Sequence, residues 1–293
     1  MYMWKLFATV YPEQFRKVSR YTCMHVEGPR MPVRQYLTLL KSDSLHWGVA
    51  LALFTPFAST PELVDVANVR NLVALELSMS GTASASNEET TTALDDRIVR
   101  TWSELAEKPS LAAEDGSPFA HLRVLKISHQ TEITTTTLRY LRVFPSLRHV
   151  IICNCLNLIR AFKNNNSRSI EGWGLSSSTE YHPPVSLPNQ LYTEYEESLK
   201  ANIDGTGTTP SIGRDHPILG FQIGREMRRP SKKAFTRLDL VRQHDPEQQE
   251  VQEPAAKKPR QASSHPGRAP GRSARSMKER KARDLNSVLN DLL

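Results

Sequence analysis

The sequence predicts an α/β fold: a short, irregular solenoid of parallel strands and helices, with a helical N-terminal cap and a disordered basic C-terminal tail. Three observations predict it. Residues 130–155 hold apolar side chains first at helical and then at strand spacing. The pattern returns upstream at shifts of 25 and 75 residues, the mark of a stacked repeat. From Gln243 the composition turns to Gln, Glu, Pro, Ala, Ser, Lys and Arg, almost without a large apolar side chain before Leu285.

Within residues 130–155, Ile133, Leu138, Leu141 and Phe144 share one side of a short helix. Leu147, Val150 and Ile152 then follow an L-x-x-L-x-L strand pattern that closes at Cys155. One strand-plus-helix unit cannot cover its own apolar face, so it must stack on neighbours. A shift of 25 aligns Phe144, Leu147, Val150 and Ile152 with Phe119, Leu122, Leu125 and Ile127. A shift of 75 aligns Leu138, Leu141, Phe144 and Leu147 with Leu63, Val66, Val69 and Leu72, and that unit runs on through Leu75 and Leu77. Ser80 and Gln130 stand at the closing position that Cys155 fills. This spacing resembles the cysteine-containing leucine-rich repeat common in F-box proteins, and is similar to that of fungal leucine-rich proteins. Gln130 replaces the leading Cys of that pattern and Thr135 its Asp. The resemblance covers residues 45–160, and it implies a protein-binding solenoid of about four strands.

Residues 1–44 read as the helical cap. Trp4, Leu6, Phe7 and Val10 fit a helix before Pro12, and Pro12 suits the first turn of a second one carrying Phe15 and Val18. The pair is similar to the closing helices of an F-box, although no Leu-Pro-x-Glu-type opening is among these residues. A plain cap and an F-box remnant both stand as readings.

The repeat core spans residues 45–160. Residues 48–53 align with 72–77 at a shift of 24 and form its first strand. Ser59 or Thr60 caps the helix that follows, with Pro61 in its first turn. The strands at Leu72 and Leu122 lie two periods apart. A helix carrying Leu94, Ile98, Trp102 and Leu105, capped by Thr92, makes this one enlarged repeat with insertions at 81–93 and 106–118. After Cys155 a helix with Leu156, Leu158, Ile159 and Phe162 ends the clear pattern. Residues 161–242 form an irregular C-terminal cap with a helix at 189–201 and strands at 217–224 and 234–242. Residues 243–293 are the tail. It cannot offset its own ordering entropy until a short amphipathic helix, with Ser276 and Glu279 as a capping box and Leu285, Val288, Leu289, Leu292 and Leu293 on one face.

Composition narrows the function. Three cysteines in 293 residues suggest a reducing compartment rather than a disulfide framework. No segment is long and apolar enough to span a membrane, and no membrane partner is expected. Cys153 and Cys155 share a strand face but bring no four-ligand set, so neither metal nor other cofactor is implied. Asp95 and Asp96 sit where a helix starts and serve its dipole. There is no G-x-S-x-G turn and no phosphate-binding glycine loop, so the chain is read as non-enzymatic.

The net charge of +7 is concentrated at the C-terminal end. Residues 211–293 hold 18 Lys/Arg against 10 Asp/Glu, and the rest of the chain is nearly neutral. Lys257, Lys258 and Arg260, then Lys278, Arg280, Lys281 and Arg283, resemble a bipartite nuclear localisation signal, with a nuclear import receptor as partner. Nucleic acid is the weaker expectation, because no aromatic residue is interleaved to stack on bases. On the sheet face, Arg123, Lys126, Arg148 and Ile151 are expected to point outward with His121 and His149 beside them. A basic strip of this kind would take an acidic protein partner. Two functional classes stay open: a nuclear protein-interaction module, and the substrate-recognition subunit of a cullin-type ubiquitin ligase docked on its adaptor.

Overall fold

The computed structural model describes residues 1–42, 45–79, 93–108, 117–164, 168–176, 189–200, 216–224 and 236–243. The chain divides into two units, Met1–Pro246 and Glu247–Leu293, and all the described residues belong to the first. The tail beyond Gln243, with the terminal helix expected there, lies outside the described residues, as does most of each expected insertion.

Among the described residues the order is α1 (Tyr2–Val10), α2 (Pro12–Val18), β1 (Tyr21–Val26), α3 (Val33–Leu40), β2 (Gly48–Phe54), α4 (Thr60–Asp65), β3 (Leu72–Ser78) and α5 (Asp96–Glu107). There follow β4 (Val124–Ser128), α6 (Thr135–Leu141), β5 (His149–Cys153), α7 (Leu156–Asn164), β6 (Ser169–Ile170), β7 (Trp173–Leu175), α8 (Gln190–Lys200), β8 (Ile218–Ile223) and β9 (Arg237–Arg242). The strands form one mixed sheet in the order β1-β8-β2-β3-β4-β5-β9-β7-β6. The class is therefore α/β.

The parallel centre follows the spacing read from the sequence. Leu51 and Leu53 pair with Leu75 and Leu77, those with Leu125 and Ile127, and those with Val150 and Ile152. β3 pairs directly with β4, so no strand of the sheet lies between them. These residues are fully buried and meet side chains from α1, α3, α4, α5, α6 and α7 in one continuous core. Phe119 and Phe144, aligned at 25 residues, touch edge to face at 5.0 Å, and Trp102 meets Phe119 the same way at 5.2 Å. Trp102 Nε1 donates to the Leu63 carbonyl at 3.1 Å, tying α5 to α4.

The turns after β4 and β5 repeat as well. His129 and Asn154 both adopt positive φ, 59° and 53°. Asn is among the few residues that tolerate that region, and its amide joins the two turns through a 3.0 Å contact with His129 Nε2. At the closing position, buried Gln130 accepts from Leu94 N at 2.8 Å, while Cys155 Sγ donates weakly to the Ile127 carbonyl at 3.5 Å. The amide thus reaches further than the thiol, to the residues just before α5.

Four local details differ from the expectation. The N-terminal region is not helical throughout, because residues 21–26 form β1. Segment 161–242 does not gather at one end: β8 inserts between β1 and β2, parallel to both, while β9 and β7 close the other end antiparallel. An otherwise open β2 edge would leave a row of N–H and C=O groups unpaired, and β8 satisfies them. Gly220 permits that insertion, since a Cβ there would run into the Tyr21 ring. Finally, α5 is capped by Asp95, whose carboxylate accepts from Ile98 N at 2.8 Å, rather than by Thr92. Asp96 instead bonds Thr134 and Thr137 of the next helix.

Candidate functional site

The second face of the sheet carries the candidate site. On a strand, alternate side chains point to opposite faces, so burying Leu125 and Ile127 on one face turns Val124, Lys126 and Ser128 to the other. The register sets Glu76 beside Lys126, then Ile151, then Asp239, in a row across β3, β4, β5 and β9. Ala50, Ala74, Val124, Ile151 and Ile218 form an apolar floor next to it.

This face is covered. α8 lies across it and seats Leu191, Tyr195 and Leu199, spaced four residues apart on one helical side, on that floor. Arg123, Lys126 and Ile151 are consequently only 5–6% exposed, which corrects the expectation of an open basic strip. Arg123 donates through its guanidinium to the Ser198 carbonyl at 3.2 Å, and Lys126 pairs with Glu76 at 3.2 Å. His149 is half-buried at the margin, and burial with the nearby Arg123 charge holds its pKa below the usual histidine value. His121 and Arg148 are likewise half-buried. The structure thus brings Arg123, Lys126 and Ile151 together under one helix, with His149 within electrostatic reach of Arg123 and Arg148.

Residues without a distinguishing mark in the sequence complete the site. Glu194 of α8 sits between Arg237, at 3.2 Å, and Gln190, at 3.3 Å, both bound through Oε1. Its Oε2 is buried without a hydrogen-bond partner among the described residues. Burial raises the Glu194 pKa, with Lys126 and Arg237 opposing and Glu76 and Asp239 assisting. Lys126 is held above the usual lysine value: burial works against its charge, but Glu76, Glu194 and Cys153 together outweigh it. Arg237 also bonds Asp239 at 2.7 Å. Two residues to either side of Glu194, Tyr192 stacks on Tyr21 at 4.2 Å, and Arg20 grips Glu196 through both oxygens at 2.7 and 2.9 Å. The one signal available in advance was Glu76, which stands at the repeat position of Lys126 two periods earlier. Glu194 and Arg237 carry no periodic mark.

Burial pushes Cys153 up to about 12 and Cys155 to about 11, so both thiols stay protonated near neutrality and offer no thiolate nucleophile. Among the described residues no group of three or more His, Cys, Asp or Glu is placed to hold a metal ion. None of their helices is long and apolar enough to cross a membrane. Beside α8 the same face continues as an open recess lined by Tyr21, Cys23, Ala52, Glu76, Ser78 and Gln222.

A second surface stands apart from the sheet. α1 and α2 bury Trp4 and Ala8 but leave Tyr2, Met3, Leu6, Val10 and Tyr11 between 54% and 79% exposed. The basic residues read as the localisation signal, Lys257, Lys258, Arg260, Lys278, Arg280, Lys281 and Arg283, lie outside the described residues.

Compared with protein-family models and with curated proteins, the chain matches none. Among solved structures it is similar to the tropomodulin C-terminal domain of Caenorhabditis elegans, with 16% identity and a TM-score of 0.30 over 59% of this chain and 93% of that one. A likeness at that level carries no argument about fold or function.

Proposed function

We propose that this chain is a leucine-rich-repeat protein-interaction module of the cysteine-containing type, acting in the nucleus without catalysing a reaction. The repeat register supports the leucine-rich reading: strands offset by 24, 50 and 25 residues pair at equivalent positions. One observation carries the interaction reading, the apolar strip that α1 and α2 leave in solvent. Contiguous exposed apolar surface of this sort marks contact sites. Leu6→Ser with Val10→Ser should remove a defined set of partners from cross-linked complexes isolated from cells. The melting temperature should stay within a few degrees, since neither side chain is in the core. An unchanged partner set would sink this reading.

The same strip favours a second reading, docking on the adaptor of a cullin-type ubiquitin ligase, because two short helices split at Pro12 present it. Co-purification of that adaptor with the parent chain, and its loss in the double variant, would decide for it.

Nuclear placement rests on the two basic clusters. A reporter fused to residues 243–293 should enter the nucleus, and Ala at Lys257, Lys258, Arg260, Lys278, Arg280 and Lys281 should abolish entry. A cytoplasmic reporter refutes the import claim. Salt-sensitive nucleic-acid binding lost on the same substitutions would assign the charge to phosphate contacts instead.

A further inference from the structure

We propose that the sheet face beneath α8 is a helix-binding surface, that α8 is its resident occupant, and that its partner is an acidic amphipathic helix that takes α8's place. The proposal rests on the interaction reading above but concerns a different surface.

The two faces of the sheet are covered unequally. One is buried by a continuous core drawing on α1 and α3–α7. Among the described residues, α8 is the helix whose side chains cover the other, through three apolar anchors. Small residues, Ala50 and Ala74, let a helix approach the floor closely, and Leu191, Tyr195 and Leu199 occupy it at i, i+4 and i+8. This is the geometry by which an amphipathic helix docks into an apolar groove.

Charge defines the kind of helix. Beneath and beside α8 the sheet offers Arg123, Lys126 and Arg237 against Glu76 and Asp239, and Arg20 at the rim is paired with Glu196. α8 answers with Glu194, bonded to Arg237, and Glu196, bonded to Arg20, while Glu197 and Lys200 are exposed. Opposed potentials of this kind select partners and fix their orientation. A cationic strip calls for an acidic partner, and the structure supplies one from the same chain.

The resident fit is incomplete in one place. Glu194 keeps one oxygen buried and unpartnered, a cost that a competing helix with a better-matched group at that position does not carry. The open recess at Cys23, Ala52, Glu76, Ser78 and Gln222 extends the same face beyond α8 and gives an incoming helix a first foothold.

The test uses the full chain. By hydrogen exchange, amides of residues 190–200 should exchange through a local opening at least a hundredfold faster than those of β3 and β4. A labelled peptide of residues 189–200 should bind the Tyr195→Ser chain at least tenfold more tightly than the parent, because the resident helix is weakened. The same peptide with its three glutamates changed to lysine should lose that binding. Exchange of α8 only together with the sheet overturns the proposal, and this measurement on the parent decides alone if Tyr195→Ser does not fold. Equal peptide binding to parent and variant, or none to either, overturns it too. Loss of partners in the Leu6/Val10 variant would stand whatever the peptide does, so the two readings fail separately.

Discussion

Glu194 shows how a single residue ties stability to pH. It is 9% exposed, and one of its oxygens has no donor among the described residues. Burial raises its pKa above the unfolded value of about 4.3. The folded chain therefore holds the proton more tightly than the unfolded chain. The stabilisation is complete below the unfolded pKa and is lost as pH rises through the folded one. Glu194→Gln keeps the shape and removes the titration. Its melting temperature should gain on the parent as pH rises from about 4 towards 7, as thermal melts across that range would show. Parallel pH profiles in the two chains would contradict a buried, unsatisfied carboxylate.

Elements in this fold are joined by caps that serve two helices at once. Ser59 and Glu62 form a capping box at the start of α4, and the Glu62 carboxylate also accepts from Arg34 N in α3 at 3.0 Å. Asp96 opens α5 and accepts from Thr134 N at 2.9 Å and from the Thr134 and Thr137 hydroxyls, which fixes α6 against it. Asp96→Ala should destabilise by about 1–2 kcal/mol, in the range of a lost cap, with an unchanged denaturant slope in urea titration. A loss below a few tenths of that would mean α5 and α6 are held by packing alone. The Asp95–Asp96 pair was legible as a helix start, but its division of labour was not. Asp95 bonds its own helix, three residues on, whereas the partners of Asp96 lie 38 and 41 residues away.

At the scale of the whole molecule, the sheet is discontinuous in sequence. Its second and seventh positions are filled by β8 and β9, the last strands described. A chain ending at residue 246 should melt within a few degrees of the full chain, because the larger compact unit ends there. A chain ending at residue 200 should lose its cooperative melt. Without β8, the strand β1 has no parallel neighbour and β2 exposes an edge. Without β9, the far side of β5 is bare. A cooperative melt in the shorter chain would show that the central parallel strands fold on their own.

What the sequence determined by itself is the stacked centre. A strand and the helix behind it come from neighbouring residues, so local periodicity sets both. Offsets of two periods and one period then bring Leu75, Leu125 and Val150 into pairing. The N-terminal helices and α8 were legible for the same local reason. Only the tertiary structure decided what covers the second face and the first edge. Tyr21 meets Ile218, Arg123 meets Ser198, and Glu194 meets Arg237. Each of these contacts has a partner beyond residue 164, past the point where the repeat pattern ends. Their energies depend on burial and on charges that become neighbours only after the chain has closed, which is why a strip of cations that reads as a solvent-facing surface is in fact the bed of the chain's own acidic helix.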